Sequence, residues 1–444
     1  MWPKAKDMRT GQLPLLVLPR ERPLVAALNE RRSTFVDNMA MPIHRWFRYS
    51  AGFSAAWVEH EVRAALEHGP VTLLDPFAGA GTTLVEGERC AVATVGVEAH
   101  PFVSRVARAK LGWRQPVGEF LEYAGELFAR AHRHGGEALG YPRLIEQCYP
   151  PSVLADLDAL RRGWESLPHE SEVAELAWLA ITAILRVCSP VGTAQWQYVL
   201  PRKEKASSLS PFAAYQLQVQ NMAADMRLRQ SEALELPAVL PPVLHVDDAR
   251  TCGSVPNRWA SLVLTSPPYT NNYDYADATR LEMSFWGEVQ SWRDLHQRVR
   301  RHLIRSCSQH VDADREQLDC LLRDPDLVPV VNEIAPVCDK LARERLQHGG
   351  KKSYHLMVAA YFGDLAKVWK ALRRAMKEGS RACFVVGDSA PYGVYVPVDR
   401  WLGDLAVAAG FKSYSFHKTR DRNVKWKNRK HRVPLHEGCL WVEG

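Results

Sequence analysis

The chain has 444 residues, of which 46% are hydrophobic and 24% charged, a composition typical of a soluble globular protein that is too long for one simple core. The formal net charge of +7 is a mild excess, so its placement matters more than its size. The nine cysteines are scattered and form no CxxC pair, which argues against a zinc site or a disulfide framework. The N-terminus has no apolar run of signal-peptide length, and we expect a cytoplasmic protein without a metal site or a membrane span.

The first predicted elements form a β-α-β unit. Ser54 is a good N-cap for a helix that reaches about residue 68. A buried strand at 71–74, a glycine turn, a helix from about Thr82 and a second strand at 92–97 follow in that order. This succession is typical of a nucleotide-binding sheet.

Helical regions and strands alternate in the rest of the chain. Residues 115–235 are predicted to be mostly helical, with a buried apolar helix at 173–187, and strands return at 243–246 and 262–264. A charged helical region covers about 285–355, and an amphipathic helix from Tyr361 to Met376 is expected to end at Gly379. A strand at 382–386, a helix at about 399–409 and a terminal β pair complete the predicted sheet.

These elements predict one α/β domain that is interrupted by two helical insertions. Its core comprises three pieces, and the first of them includes an N-terminal arm. The predicted boundaries are 1–114 for the arm and first half of the core, 115–235 for the first insertion, 236–284 for the middle of the core, 285–355 for the second insertion, and 356–444 for the remaining core with a basic C-terminal segment.

A glycine-rich turn stands between the first strand and its helix. Residues 75–83 have the sequence DPFAGAGTT. Glycines let the backbone approach a ligand closely, and the N–H groups of a helix N-terminus favour a carboxylate or a phosphate. Glu98 ends the next strand, where an acidic residue suits a ribose diol. Taken alone, the turn fits an ordinary strand–helix connection equally well.

A second candidate site follows the strand at 262–264 and consists of Ser266, Pro267, Pro268 and Tyr269. Two prolines fix a rigid, extended turn. The Ser266 side chain and the Pro267 carbonyl could accept the hydrogens of a base amine, whose lone pair is otherwise conjugated with its ring. Tyr269 could stack on that base, which must leave a duplex to reach the site. A plain proline turn remains the alternative for this segment alone.

In combination, the two segments resemble the bacterial amino-group DNA methyltransferases that carry an SPPY motif and modify cytosine N4. The resemblance implies a Rossmann-like S-adenosylmethionine-dependent methyltransferase sheet, with the SPPY residues as the catalytic set. The turn at 75–83 looks like the cofactor motif, and GVEAHP at 96–101 looks like the ribose-binding acidic motif. Residues 42–47 and 51–54 are similar to the motif that contacts the methionine end of the cofactor.

The resemblance extends to three further segments of the chain. VDDAR at 246–250 is similar to the motif whose aspartate reads the cofactor adenine, although Asp247 stands where relatives usually carry glycine. NNYDY at 271–275 and VGDS at 386–389 also match. The residues that are implied in binding S-adenosyl-L-methionine are Phe53, Ser54, Asp75, Phe77, Gly79, Gly81, Thr82, Glu98, Ala99 and Asp248.

Basic residues concentrate in two segments. One is the run at 418–432, which contains Trp426 and a single acid, Asp421; the other is an arginine set in the insertion at 285–355, just after the catalytic loop. Such runs bind nucleic-acid phosphates, although a solvated charged face is the ordinary alternative. The insertion is also the candidate target recognition region. The residues assigned to DNA contact are Asn271, Asn272, Tyr273, Arg300, Arg301, Arg305, Lys425, Lys427, Arg429 and Lys430.

Several other functions remain open at this stage. Adenine-N6 methylation of DNA uses the same chemistry, and RNA or protein-glutamine methyltransferases use a related loop but usually carry Asn or Asp before the prolines. Cytosine-C5 methylation needs a nucleophilic cysteine, typically after proline, and the chain has no Pro-Cys pair. A non-catalytic DNA-binding module that senses the cofactor is a further alternative. The implied partner is double-stranded DNA, and a cognate restriction endonuclease stays open.

Overall fold

A mostly parallel sheet organises the described part of the chain. The computed structural model describes residues 35–50, 52–193, 200–205, 207–237, 240–271, 273–311, 316–422 and 433–444. The strands are β1 (Thr72–Asp75), β2 (Ala93–Val97), β3 (Val191–Gly192), β4 (Leu200–Glu204), β5 (Val243–His245), β6 (Ala260–Thr265), β7 (Met376–Gly387), β8 (Ser413–Arg422) and β9 (Leu435–Glu443). All except β3 and β4, which pair with each other, form one sheet in the order β5-β2-β1-β6-β7-β9-β8.

The strand order places a crevice at one edge of this sheet. Strands β5, β2, β1, β6 and β7 are parallel, and β9 and β8 add an antiparallel pair at one side. From β1 the chain proceeds outward through β2 to β5, and it then returns to β6 on the other side of β1. In open α/β sheets, ligands bind outside the carboxyl ends of the strands where the order reverses in this way.

Helices cover the sheet and build the two predicted insertions. They are α1 (Ala55–Leu66), α2 (Thr82–Arg89), α3 (Pro101–Leu111), α4 (Val117–His134), α5 (Arg143–Cys148), α6 (Pro151–Glu165), α7 (Glu172–Cys188), α8 (Pro211–Ala233), α9 (Arg280–Phe285), α10 (Trp292–Arg298), α11 (Leu318–Leu322), α12 (Val331–Gln347), α13 (Tyr354–Ala375) and α14 (Val398–Ala408). Within the described ranges, no helix is long and apolar enough to cross a membrane.

Both faces of the sheet are buried, as the alternation of side chains along the strands requires. Leu73 packs in a core with Val58 and Val62 of α1, whereas its neighbour Leu74 packs in a second core with α13 and α14. A third core lies among α3, α4, α6, α7 and α8. The first insertion is therefore held to the sheet domain through buried apolar surface.

Most of the predicted elements are confirmed. The strands β1, β2, β5, β6 and β7 and the terminal β8–β9 pair form where the sequence predicts them, with shifts at their ends. Ser54 caps α1, since its side chain accepts a hydrogen bond from the Trp57 backbone N at 3.3 Å. The apolar pattern at 173–187 forms the buried helix α7. The short β3–β4 pair was not predicted.

The predicted start of one helix is wrong. The helix expected to run from Tyr361 to Met376 begins at Tyr354 and ends at Ala375, and Gly379 lies inside β7 rather than closing the helix. The cause is tertiary packing. Elements α11, α12 and α14 also pack on α13, so the helix is buried on nearly all sides and its apolar residues do not form one stripe.

Candidate active site

The carboxyl ends of four parallel strands meet around one cavity. Its volume is about 750 Å³ including the open mouth. Its walls come from the loops after β1, β2, β5 and β6, together with Tyr49, Gly52, Phe53 and residues 302–304. The predicted site residues that line it are Phe53, Phe77, Gly79, Thr82, Glu98, Ala99, Asp248, Ser266 and Pro268.

The glycine turn after β1 is shaped by two positive backbone angles. Gly79 has φ +53° and Gly81 has φ +85°, a region that side-chain-bearing residues rarely adopt. A Cβ on Gly79 would stand 3.3 Å from the Tyr49 ring, and a Cβ on Gly81 would stand 3.2 Å from Ala107 Cβ. Gly81 does not line the cavity. It ends the turn as the N-cap of α2, which lets Gly79 and Thr82 face the cavity.

Asp75 positions this turn from below and does not line the cavity. Its Oδ1 accepts hydrogen bonds from Thr265 Oγ1 at 2.6 Å and from the Phe77 backbone N at 3.0 Å. The side chain thus links the ends of β1 and β6. Burial raises the pKa of Asp75 to about 6. Asp75 therefore has a supporting role in this structure, and Ser54 likewise acts as the cap of α1, whereas their contact with the cofactor stays a prediction.

Glu98 is the carboxylate that faces the cavity beyond β2. Its Oε2 accepts from the Gly79 backbone N at 2.7 Å, and its Oε1 accepts from the His100 backbone N at 2.8 Å. Burial raises the pKa of Glu98 to about 7 despite these two hydrogen bonds. The side chain therefore holds the glycine turn in place and still presents lone pairs to the cavity, as a ribose diol requires.

Asp248 follows β5 and holds a second acidic position on the cavity wall. Arg250 binds its carboxylate through Nε at 2.9 Å and through a second nitrogen, Nη2, at 2.6 Å. The neighbouring Asp247 turns away and accepts from the Ser254 backbone N and hydroxyl. The assignment of Asp248 rather than Asp247 as the residue that faces a ligand therefore agrees with the geometry.

The loop after β6 places an oriented hydroxyl at the cavity. Ser266 Oγ donates its hydrogen to the Val385 carbonyl on β7 at 3.2 Å. A hydroxyl that donates one hydrogen bond can also accept one, as a substrate amine would require. Pro268 lines the cavity, whereas Pro267 is buried and Tyr269 lies outside the cavity wall. Arg422 stacks on the Tyr269 ring, with its guanidinium carbon 5.2 Å from the ring centre.

Further hydrogen bonds fix the rest of this loop. The Tyr269 backbone N donates to the Tyr275 hydroxyl at 3.1 Å, and Tyr275 itself lines the cavity. Ser389, in the matching VGDS segment, donates to the Thr270 carbonyl. The loop is therefore held from β7 and from its own continuation, which suits a site that must position one acceptor atom.

A buried ion pair anchors the loop to the second insertion. Asp274 accepts from Arg300 Nη2 at 2.5 Å and lies 3.1 Å from His310 Nε2, and only 6% of the Arg300 side chain is exposed. Hydrogen bonds and charge from His310 and Arg300 hold the Asp274 pKa well below its usual range, although burial opposes this shift. The sequence-based assignment of Arg300 to DNA contact does not agree with this burial, and Arg300 is a loop-positioning residue instead.

The other residues predicted to contact DNA have mixed positions. Arg305 is engaged by Asp364 at 2.7 Å and by Glu316 at 3.1 Å. Arg301 and Asn271 are exposed, and Tyr273 is partly exposed with its ring against Tyr275. DNA contact by these residues stays a prediction. Five further predicted contacts lie outside the described residues, namely Asn272, Lys425, Lys427, Arg429 and Lys430.

Several cavity residues were not predicted from the sequence. Tyr49 lies between the two matching N-terminal segments and Gly52 lies inside the second, so their position was available as a signal. His100 stands two residues after Glu98, in the same GVEAHP segment, and burial lowers its pKa to about 3. His302 and Ile304 come from the second insertion, and no local pattern indicated that this insertion folds back to the cavity.

Within the part of the chain that the structure describes, two clusters of residue types that bind metals stand outside the cavity wall. Asp274, Cys307 and His310 form one, in which Arg300 already neutralises the carboxylate. Asp388, Asp399 and His436 form the other, where His436 Nδ1 lies 2.6 Å from Asp388 and Nε2 lies 3.7 Å from Asp399. Each cluster is explained as an ion-pair network.

Comparison with known proteins gives distant relatives of one kind. The chain is 23% identical to a protein named Type II methyltransferase M.BsoBI from Geobacillus stearothermophilus, over 89% of this chain and 83% of the relative. It is 25% identical to proteins named Type II methyltransferase M.AvaI from Nostoc sp. and from Anabaena variabilis, over 87% of this chain and 82% of each relative. The chain has a Rossmann-like methyltransferase fold. No family model matches the chain.

Proposed function

We propose that this chain is an S-adenosylmethionine-dependent DNA methyltransferase whose target is an exocyclic base amine, specifically N4 of cytosine. The observation that carries the proposal is the convergence of the glycine turn, Glu98, Asp248 and Ser266 on one cavity. The named relatives support methyl transfer, and their Type II designation supports site-specific DNA as the substrate and a restriction endonuclease as a partner.

The order of the strands supports a definite orientation for the cofactor. Along β5-β2-β1-β6, the cavity residues are Asp248, then Glu98, then the glycine turn, then Ser266. Neighbouring strands lie about 4.8 Å apart, so the span from β5 to β1 is about 10 Å, which suits a nucleoside. Asp248 would hold the adenine and Glu98 the ribose, and the methyl-bearing end would lie toward β1, beside Ser266 on β6.

The residues after β6 supply the hydrogen-bond acceptors that an amine needs in order to receive a methyl group. When bound, S-adenosylmethionine supplies an electrophilic methyl group on its sulfonium. Ser266 Oγ would accept one amine hydrogen. The carbonyl of Pro267, which is buried between the cavity-lining residues Ser266 and Pro268, would accept the other once a base is bound, and the two contacts would withdraw the nitrogen lone pair from conjugation. The N–C bond then forms as the C–S bond breaks, its electron pair stays on sulfur, and the amine releases a proton to water. No covalent bond between enzyme and base is required.

The choice of cytosine N4 rests on two features. Serine before the two prolines is the residue of the cytosine-N4 group that the chain resembles, whereas adenine-N6 enzymes usually carry Asp or Asn there. Cytosine C5 is disfavoured because that product requires a thiolate, and none of the nine cysteines, all of which are described, lines the cavity. Adenine N6 is the remaining alternative product.

DNA would approach from the cavity mouth. A target base has to leave the duplex to reach Ser266. Tyr269 would stack on that base after the Arg422 guanidinium moves away from the Tyr269 ring. The basic run at 418–432 would contact phosphates and position the duplex without reading its sequence. The second insertion would read the target, since its residues 302–304 already reach the cavity wall.

Transfer of a labelled methyl group tests this proposal. The purified protein is incubated with methyl-labelled S-adenosylmethionine and either mixed-sequence duplex DNA or RNA of the same composition. We expect label in the DNA, and a strong reduction for Ser266→Ala with unchanged affinity for S-adenosylhomocysteine. A cofactor-sensing module would bind the cofactor and transfer nothing, and label in RNA alone would replace DNA as the substrate.

A further inference from the structure

A buried lysine stands beside the cofactor cavity without a carboxylate partner. Lys110, near the end of α3, is only 3% exposed, and its Nζ donates to the His44 carbonyl at 3.3 Å. Among the described residues, no acidic side chain pairs with it. A buried ammonium without a counter-ion is costly, and burial lowers the pKa of Lys110 to about 7. This cost is not explained by the fold alone.

Lys110 lines a side chamber next to the main cavity. The chamber has a volume of about 280 Å³ including its open side, and Tyr49, Gly52, Ala80 and Thr82 belong both to its wall and to the wall of the main cavity. His44 in the same wall is already hydrogen-bonded to Glu86 at 2.7 Å. Lys110 is thus the cation that the wall of this chamber offers to a ligand.

We propose that Lys110 binds the α-carboxylate of the cofactor's amino-acid moiety. This inference rests on the proposed function. With the adenine above β5 and the ribose above β2, the amino-acid end continues past β1, where Thr82 opens α2 and the side chamber begins. The positive N-terminus of α2 favours the same negative group. A carboxylate there would supply the counter-ion that Lys110 lacks.

Two probes separate this role from a structural one. S-Adenosylhomocysteine carries the carboxylate, whereas 5′-methylthioadenosine keeps the adenine and ribose and has no amino-acid group. Calorimetry with Lys110→Met should show about a 10- to 100-fold loss of affinity for S-adenosylhomocysteine, the size of a charge-assisted hydrogen bond, and no change for 5′-methylthioadenosine. Lys412→Met, which removes an exposed lysine outside both cavity walls, should leave both affinities unchanged.

Other outcomes overturn the inference. Equal losses for both probes would assign Lys110 to holding the His44 segment, and no loss for either would remove it from the site. Should Lys110→Met fail to fold in a thermal melt, the wild-type protein decides the matter with the α-carboxamide of S-adenosylhomocysteine, which must bind more weakly than the acid. Wild-type protein that binds neither adenosine probe would refute the proposed function itself.

Discussion

Replacing Glu98 by glutamine should remove the pH dependence that this side chain gives to the stability of the free protein, and it should weaken nucleoside binding. Glutamine has the shape of glutamate but no ionisable group; its amide NH2 cannot accept one of the two backbone N–H bonds that Glu98 accepts, a loss that is the same at every pH. In the native protein the pKa of Glu98 is raised to about 7, because burial disfavours its charge. An ionised Glu98 therefore destabilises the wild-type protein at neutral and higher pH, whereas the variant carries no such charge.

The magnitude follows from the pKa. A rise from the ordinary 4.5 to about 7 corresponds to about 3 kcal/mol, as an upper bound because Glu98 is partly exposed. The folded state holds the proton on Glu98 more tightly than the unfolded state does. The contribution of this proton to the free energy of unfolding is therefore complete below pH 4.5 and is lost as the pH rises through 7. Between about pH 5 and about pH 8, the wild type should lose about 2 kcal/mol relative to Glu98→Gln.

Urea unfolding at the two pH values measures this difference directly. Asp75, whose pKa is raised to about 6, is present in both proteins, so its own pH dependence is shared and only its repulsion with Glu98 differs between them. Glu67→Gln, at an exposed glutamate after α1, serves as the matched control and should show no pH-dependent gain. A constant difference between wild type and Glu98→Gln across this pH range would refute the reasoning.

The same charge governs binding of the ribose. If the ionised form of Glu98 accepts the ribose hydroxyls, affinity for 5′-methylthioadenosine should rise about tenfold from about pH 6 to about pH 8 in the wild type. It should stay flat and weak in Glu98→Gln. This probe has no amino-acid group, so Lys110 does not enter the measurement. Affinity that falls with rising pH would contradict a ribose-binding carboxylate.

Four further outcomes are expected. Gly81→Ala should lower the free energy of unfolding by about 1–3 kcal/mol in urea titrations, because its φ of +85° strains any side-chain-bearing residue. Asp274→Asn should cost about 3–5 kcal/mol, since it leaves Arg300 buried without its counter-ion, and the loss should shrink in acid where the wild-type carboxylate also protonates. Tyr269→Ala should weaken binding of DNA with an extruded target base by about 1–3 kcal/mol in fluorescence titrations, the value of one base–aromatic stack. Neutralising Lys425, Lys427, Arg429 and Lys430 of the basic run should weaken binding to all duplexes alike. It should also reduce the slope of log affinity against log salt concentration by up to about 0.9 per lost phosphate contact.

The core of the fold was predictable because its signals are local. Each parallel strand is a short apolar run bounded by turn residues, and the glycine turn follows β1 directly. The start of α13 was not predictable, because the burial of that helix depends on contacts with α11, α12 and α14, and the local sequence does not show those contacts. The sequence predicted a stripe of apolar residues on one side of α13, whereas tertiary contacts cover almost the whole surface of that helix.

The candidate site shows the same division. Glu98, Asp248 and Ser266 were predicted because each follows a strand, and the carboxyl ends of parallel strands meet at one edge of the sheet. The roles of Asp75 and Arg300 were not, since a sequence does not tell whether an ionisable side chain faces a ligand or a buried partner. Lys110 carried no signal at all, because its position beside the cavity depends on how α3 packs against His44 and Phe47.

The modified base itself tests the central claim most directly. The protein is expressed in a host that lacks DNA methylation, and the nucleosides from the host DNA are separated and identified by mass spectrometry against authentic standards. The account predicts N4-methylcytosine in cells that carry the wild-type protein and none in cells that carry Ser266→Ala. N6-methyladenine would contradict the cytosine assignment, and the absence of any methylated nucleoside would contradict DNA methylation by this chain.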